Sequence, residues 1–142
     1  MVRIMATGVF DIIHPGHLFF LEEARKLGDE LIVVVARDST AKRVKRFPIF
    51  NENIRLKMVN SLKPVTMAIL GGEGNIFDII PMIRPDIIAL GYDQHFDERE
   101  IEKEAMIRGL KVKVVRIQEY KDIELNGTRK IIKYLKENYK EL

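Results

Sequence analysis

The stretch that decides the fold reads Thr7-Gly8-Val9-Phe10-Asp11-Ile12-Ile13-His14-Pro15-Gly16-His17. The residues that lead into it, Met1–Thr7, are mostly apolar and include β-branched side chains, a pattern typical of a buried strand. Pro15 and Gly28 bracket a helical pattern, with proline just inside its start and glycine just past its end. The sequence therefore predicts a strand, a tight turn and a helix that begins near Pro15.

His14 and His17 lie at the start of this predicted helix, and their spacing lets both side chains point the same way. The unsatisfied N–H groups and the positive end of the helix dipole attract an anion there. Gly16 leaves room for a phosphate to approach the backbone. Two imidazoles can donate hydrogen bonds to phosphate oxygens, or carry charge if a phosphate raises their pKa. The pattern thus predicts a phosphate site.

Two other interpretations of the histidines stay open on the sequence alone. A histidine in a first helical turn is often a helix-start residue or a half-buried filler. His14, His17 and Asp11 together also supply three potential metal ligands. We favour phosphate over a metal site, because a helix start already suits an anion.

The pattern Gly8-x-Phe10-Asp11-x-x-His14-x-Gly16-His17 resembles the signature of the nucleotidylyltransferase superfamily. Those enzymes move a nucleoside monophosphate from a nucleoside triphosphate to a phosphate acceptor. Runs at 10–17, 28–38 and 90–97 look most like the archaeal FAD synthase branch, which transfers AMP from ATP to FMN. The resemblance implies that the nucleotide contacts Gly8, Val9, Phe10, His14, Pro15, Gly16, His17, Asp93, Tyr120 and Thr128. Val9 departs from the pattern, because many family members carry threonine there.

A basic segment follows the second predicted strand, at Lys42, Arg43, Lys45 and Arg46, and runs into Phe47-Pro48. Such a run is usually a solvated face, but it also suits a mobile loop that brings cations to a triphosphate. The resemblance assigns that role to Lys42, Lys45 and Arg46, with Lys45 and Arg46 acting in catalysis beside the two histidines. It also implies acceptor or phosphate contacts for Asp11, Arg55 and Lys63. Arg55 and Lys63 have surface charge as their alternative interpretation.

Two later loops follow predicted strands, Gly91–His95 and Glu119–Thr128. Asp93 can accept from a ribose hydroxyl or a base, hold a cation, or cap the helix predicted over Asp97–Gly109. The last junction, 125–131, resembles the family's second motif, although Gly127 replaces the usual hydroxyl residue. Asn126 is expected to cap a final helix there, which makes this junction a second predicted phosphate site.

The remaining pattern alternates strands with helices over the whole chain. Strands are predicted at Glu30–Ala36, Val65–Leu70, Ile87–Leu90 and Lys111–Ile117, the last of them at a sheet edge. Short helices are predicted over Thr40–Val44, capped by Asp38 or Ser39, after Asn51, and from Asn75 or Asp78 to Ile83. We therefore expect one α/β domain over residues 1–142, a Rossmann-like doubly wound parallel sheet of about five strands with helices on both faces. Dinucleotide binding is disfavoured, because no Gly-x-Gly-x-x-Gly follows the first strand.

Composition is consistent with an enzyme of phosphorylated small molecules. The 142 residues are 46% hydrophobic and 32% charged with a net charge of +3, which does not demand nucleic acid as a partner. Cysteine is absent, so thiol chemistry is excluded. We see no signal peptide and no apolar run of the ~20 residues that a membrane span needs. The expectation is a cytoplasmic protein, and its sheet edge and apolar helix faces permit a homodimer.

The resemblance implies in-line transfer of AMP from ATP to FMN with Mg²⁺, releasing pyrophosphate. A cytidylyl- or adenylyltransferase of glycerol 3-phosphate or a heptose phosphate stays open, as does a non-catalytic ATP-binding module. Six phenylalanines are considered for stacking on a flavin, although most of them suit a core: Phe19, Phe20, Phe47, Phe50, Phe77 and Phe96.

Overall fold

A computed structural model describes residues 1–141. In that range the chain forms five strands: β1 (Arg3–Gly8), β2 (Glu30–Val35), β3 (Met67–Leu70), β4 (Ile87–Leu90) and β5 (Lys113–Arg116). The helices of the same range are α1 (Pro15–Arg25), α2 (Asp38–Arg43), α3 (Glu52–Asn60), α4 (Ile80–Ile83), α5 (Glu98–Ile107) and α6 (Thr128–Asn138). A 3-10 turn over Ile76–Ile79 leads directly into α4.

The strands form one parallel sheet in the order β3-β2-β1-β4-β5. The chain builds outward from β1 to β3 and then returns to place β4 on the other side of β1. Open α/β sheets bind their ligands at this reversal, beyond the carboxyl ends of the strands. The loops that follow β1 and β4 therefore leave the sheet side by side, and the predicted Rossmann-like α/β fold is confirmed.

The sheet is buried on both faces, which explains why β2 reads as an unbroken apolar run. On one face Ile4 and Ala6 of β1 pack with Leu21 of α1 and Val59 of α3. On the other, Met5 belongs to a second cluster whose helical members are Ile80, Ile83, Ile101 and Ala105. Successive side chains of β1 therefore point to opposite faces of the sheet, and helices pack on both faces. Burial of each such large side chain contributes about 1.5–3 kcal/mol.

Most predicted elements are present, with shorter limits. β3 begins at Met67 rather than Val65, and β5 covers Lys113–Arg116 rather than Lys111–Ile117. β5 is an edge strand, as its alternation indicated. Asn51 caps α3 by accepting from the Ile54 N–H at 3.0 Å, and Asn75 caps the 3-10 turn, both as predicted.

Two predicted helix caps are wrong. The α2 helix begins at Asp38 with Arg37 as its N-cap, because the Asp38 carboxylate is held by Arg55 instead of by the helix start. The N-cap of α6 is Gly127, and Asn126 turns its buried side chain back toward the preceding loop.

Within residues 1–141, each helix is too short or too polar to cross a membrane.

Candidate active site

The two histidines cap the start of α1 together. His14 Nδ1 accepts from the backbone N–H groups of Gly16 at 3.1 Å and His17 at 3.3 Å. His17 Nδ1 accepts in return from the His14 N–H at 3.3 Å. This is a reciprocal capping box in which imidazoles replace the usual Ser/Thr and Glu/Gln pair. The rings stack with centroids 3.7 Å apart, so each ring fixes the other.

These hydrogen bonds decide which ring nitrogen carries the proton. Because Nδ1 accepts in both residues, the proton of each neutral ring lies on Nε2, an assignment that follows from the hydrogen-bond network. They also correct one expectation. The N–H groups of Gly16 and His17 are occupied by His14, so the donors that α1 offers a ligand are imidazole N–H groups rather than those amides.

Burial keeps both rings neutral in the free protein. Burial lowers the pKa of His14, and the nearby Asp93 carboxylate opposes that shift. Burial also lowers the pKa of His17 to about 3, helped by the repulsion that a protonated His14 and Arg46 would exert on a second positive charge, and opposed by the Ile12 carbonyl and Asp11. The start of α1 therefore carries two neutral imidazoles.

The turn before the histidines is shaped around the Phe10 ring. Phe10 adopts a left-handed backbone with φ of 52°, and its buried ring lies 5.4 Å from the His17 ring. A Cβ at Gly8 would come within 2.7 Å of that ring, so glycine is required there. The Phe10 ring packs against His17. Because this ring is buried, only the backbone of Phe10 remains available for a nucleotide.

Gly16 joins the first and last loops of the chain. A Cβ at this position would collide with the Asn126 carbonyl oxygen and lie 2.9 Å from His14 Cε1. The space beside Gly16 is thus filled by the loop before α6. The sequence had suggested that this space is left for a phosphate, and the structure corrects that expectation. Asn126 donates to the Tyr120 carbonyl, and the Tyr120 ring stacks on Phe19 of α1 at 4.8 Å. Loop 119–128, which ends with the half-buried Thr128, therefore lies against the start of α1.

Two residues that sequence reasoning missed position the loop after β4. Gln94 accepts from the Gly91 N–H at 2.8 Å and donates to the Thr7 carbonyl at 3.0 Å, which ties this loop to the end of β1. Arg116 of β5 donates to the carbonyls of Gly91, Gln94 and Phe96 and pairs with Glu98. No local pattern marks either residue, because their partners come from other parts of the chain.

Asp93 lies exposed on this loop, near enough to His14 for its charge to act on that ring. It does not cap α5. Asp97 does so, by accepting from the Arg99 N–H at 2.9 Å. The alternative role of Asp93 as a helix cap is therefore wrong, and its carboxylate faces solvent beside the histidines.

Arg55 is neither a surface charge nor a phosphate ligand. Its side chain is 0% exposed. It donates to the carbonyls of Phe50 at 3.0 Å, Val9 at 2.7 Å and Ala36 at 2.8 Å, and pairs with Asp38 at 2.7 Å. The Arg55 hydrogen bond lowers the pKa of Asp38. Arg55 therefore acts as a structural hub beneath the loops after β1 and β2.

Asp11 holds the same loop that Arg55 contacts through the Phe50 carbonyl. Its carboxylate accepts from the backbone N–H groups of Ile49 at 2.8 Å and Phe50 at 3.0 Å. It thus fastens the far end of the basic segment, residues 42–50, beside the histidines. In the part of the chain that the structure describes, the exposed side chains of the predicted phosphate-binding cations form no hydrogen bond or ion pair: Lys42, Lys45 and Arg46.

Lys63 and the metal alternative do not belong to this site. Lys63 is exposed between α3 and β3, at the amino end of the sheet and so opposite to the histidines. Among residues 1–141, no group of three His, Cys, Asp or Glu side chains is arranged to hold a metal ion. His14 and His17 use Nδ1 for capping, and Asp11 uses its carboxylate for the basic segment, so these three do not converge on an ion.

Comparison with known proteins agrees with this geometry. Residues 5–138 match the family model described as cytidylyltransferase-like. The chain belongs to the cytidylyltransferase-like family. It is 66% identical over 132 residues to the FAD synthase of Aciduliprofundum boonei, covering 93% of this chain and 89% of that one. It is 51% identical over 143 residues to the FAD synthase of Thermoplasma volcanium, covering 98% and 100%.

A solved structure of similar sequence shows the same fold. The lipopolysaccharide core biosynthesis protein of Thermoplasma volcanium superposes with a TM-score of 0.83 and 55% identity, over 84% of this chain and 98% of that one. This cytidylyltransferase-like protein is therefore a nucleotidyltransferase enzyme. Its stacked imidazoles, the exposed cations Lys42, Lys45 and Arg46, and the loops after β1 and β4 lie at the carboxyl edge of the sheet.

Proposed function

We propose that this enzyme transfers AMP from ATP to the phosphate of FMN, giving FAD and pyrophosphate. The observation that carries the reaction class is the stacked histidine pair, whose Nδ1 atoms are both used for capping while their Nε2 N–H groups remain as donors. The choice of ATP and FMN rests on the FAD synthases that align with nearly the whole chain.

The chemistry requires little beyond positioning and charge stabilisation. An oxygen of the FMN phosphate attacks the α-phosphorus of ATP, the new P–O bond forms, and the bond to the β-phosphate oxygen breaks. Since the nucleophile is already an anion, no general base is needed. His14 and His17 donate to the α- and β-phosphate oxygens as charge develops on them. Because each ring is held by the other and by the backbone, these donors need no rearrangement during the reaction.

The basic segment receives the leaving pyrophosphate in this mechanism. Lys42, Lys45 and Arg46 are exposed, and Arg46 lies close enough to influence the pKa of His17. Asp11 and Arg55 fasten the end of the segment. The side chains of Lys42, Lys45 and Arg46 have no hydrogen-bond or ion-pair partner among the described residues, so they can close on a polyphosphate without losing one.

Mg²⁺ fits this site only as an ion carried by the triphosphate. No three-ligand group exists among residues 1–141, whereas Mg²⁺ commonly binds substrate phosphates, waters and one or two carboxylates. Asp93 is an exposed carboxylate whose charge reaches His14, so it would be available as one ligand of such an ion. The ion would neutralise charge on the phosphates.

The adenosine end of ATP has a separate set of partners. We assign the ribose or base to the loop of Asp93 and the loop of Tyr120 and Thr128, which flank the histidines. Backbone groups of the turn at Gly8, Val9 and Phe10, with Pro15 and Gly16 at the helix start, line the same edge.

We also propose that the enzyme works in the cytoplasm as a homodimer. Every residue of α6 is at least partly exposed, and the exposed apolar side chains of the helix and its C-cap include Ile132, Tyr134, Leu135 and Tyr139. A second copy can cover such a face. Sedimentation of the purified protein tests this: a monomer at assay concentration would contradict it.

The experiment that tests the activity is a pyrophosphate-release assay with Mg²⁺. It crosses ATP and CTP with FMN, glycerol 3-phosphate, a heptose 1-phosphate and phosphopantetheine, and separates the products by chromatography. We expect FAD from ATP plus FMN alone, and loss of FAD in His17→Ala. Turnover of another pair would move the substrate but keep the mechanism. ATP binding without turnover of any pair would contradict the proposed function.

A further inference from the structure

The structure separates the six phenylalanines into two groups. Phe77 and Phe96 pack edge to face at 6.4 Å beside the second core cluster, and Phe19 and Phe20 pack against the first. The other two are exposed to solvent: Phe47 by 76% and Phe50 by 41%. Only the second group can offer a ring to a ligand at the surface.

Both exposed rings belong to the basic segment. Val44 and Ile49 of that segment are exposed as well, which gathers four large apolar side chains within seven residues. Asp11 holds the amides of Ile49 and Phe50, and Arg55 holds the Phe50 carbonyl, so this end of the segment is fixed next to the turn that carries His14. An apolar cluster that is fixed in place and left in water marks a binding surface.

We infer that Phe47 and Phe50 form the wall that binds the flat ring of the flavin substrate. The inference rests on the proposed function and identifies the part of the site that would select a flavin over other phosphorylated acceptors. FMN joins a planar, largely apolar ring to a phosphate. The segment matches both parts, since its aromatic side chains directly follow the cations Lys45 and Arg46.

Charge argues against a second copy of the chain as the occupant. In a symmetric dimer centred on this segment, the segment of one copy lies against the same segment of the other. Lys42, Arg43, Lys45 and Arg46 would then face their own copies across the contact, with Asp11 already engaged by backbone amides. A phosphorylated aromatic ligand instead complements the patch in charge and in shape.

Steady-state kinetics of Phe47→Ala and Phe50→Ala test the inference. We expect KM for FMN to rise about tenfold in each, as loss of one aromatic stacking contact implies. We expect KM for ATP and kcat to stay within about twofold, because the inference places both rings on the flavin and not on the nucleotide. Phe47→Tyr should restore the FMN affinity. Met82→Ala is a matched control, since Met82 is also 76% exposed but lies on α4, before β4 and away from this edge.

Two probes separate the ring from the phosphate. Riboflavin carries the ring without phosphate, and glycerol 3-phosphate carries a phosphate without the ring. As inhibitors of FAD formation, riboflavin should weaken about tenfold in Phe47→Ala, while glycerol 3-phosphate should be unchanged. Equal weakening of both probes would overturn the inference, because it would mean that the segment has been displaced.

The two levels of the hypothesis fail differently. If the wild-type enzyme forms no FAD, the proposed function fails. If it forms FAD but the Phe47→Ala, Phe50→Ala double variant keeps the wild-type KM for FMN and the wild-type melting temperature, the ring wall alone is wrong. A shift of that double variant from dimer to monomer, with unchanged KM for FMN, would likewise overturn it and assign the patch to a second copy.

Discussion

The first and last helix starts of this chain look alike in sequence but are built differently. Each follows a strand and a loop at the carboxyl edge of the sheet. The start of α1 is closed by two imidazoles that bond to backbone N–H groups and to each other's residues. The start of α6 has Gly127 as its N-cap and no capping side chain, and the described part of α6 buries none of its residues.

Under the proposed function, the two helix starts would present hydrogen-bond donors to a phosphate in two different ways. At α1 the amides are covered and rigid imidazoles replace them, so the donors are fixed before the substrate arrives. At α6 the first amides lack a side-chain partner, and the loop is held by Asn126 and by the contact of its carbonyl with Gly16. We expect catalysis to depend mainly on the first junction and to tolerate change at the last.

The largest expected effect separates capping from chemistry at His14. His14→Asn supplies a side-chain acceptor for the helix start but removes the imidazole donor. We expect kcat to fall about 10²–10³-fold, as for other lost transition-state donors, with a nearly unchanged melting temperature. His14→Ala should lose the same activity and also about 1 kcal/mol of stability, because the cap is gone. More than a tenth of wild-type kcat in His14→Asn would contradict the role of this imidazole.

The second prediction concerns the support beneath the first junction. Arg55→Ala removes four hydrogen bonds and leaves Asp38 without its partner, so we expect a loss of about 3 kcal/mol in the free energy of unfolding. Urea denaturation measures it. Arg99→Ala, at an exposed position on α5, should change stability by less than about 0.5 kcal/mol. Similar losses in both variants would refute the hub.

The third prediction uses the low pKa of His17. The unfolded histidine binds a proton below pH 6.5, whereas folded His17 stays neutral until about pH 3. The unfolded state therefore binds more protons in that window, and stability falls with acid by at most about 1.4 kcal/mol per pH unit from this group. His17→Gln keeps the N3 side chain of a capping box without titrating. The free energy of unfolding, measured by denaturation at several pH values from 4 to 7, should depend less steeply on pH in this variant than in the wild type. Identical slopes against pH would contradict the assignment.

The smallest effect is expected at the last junction. Gly127 has an extended backbone with φ of −156°, and a Cβ there would meet nothing within 4 Å. Gly127→Ser should thus cap α6 and raise stability by a few tenths of a kcal/mol, measurable as a small rise in melting temperature. Gly16→Ser, which adds the same side chain at the first junction, should destabilise, because its Cβ collides with the Asn126 carbonyl. A gain at Gly16 or a large loss at Gly127 would invert the comparison.

The sequence pattern was sufficient to predict the fold, because parallel strands that are buried on both faces appear in the sequence as continuous apolar runs. The histidine motif likewise identified the reaction class before any geometry. Arg55 was misread for a physical reason: an arginine on a helix looks the same in sequence whether its guanidinium meets water or several carbonyl oxygens. Gln94 and Arg116 were missed for a related reason, since their partners are brought together only by the sheet.

By itself, the sequence determined the order of strands and helices, the position of His14 and His17 together at a helix start, and the cationic segment after β2. Those features depend on neighbours within a few positions along the chain. The tertiary structure decided that the imidazoles cover the helix amides, that Gly16 makes room for Asn126, and that Phe47 and Phe50 are exposed while other phenylalanines are packed. Each of these depends on burial and on contacts between distant segments, which exist only once the sheet has formed.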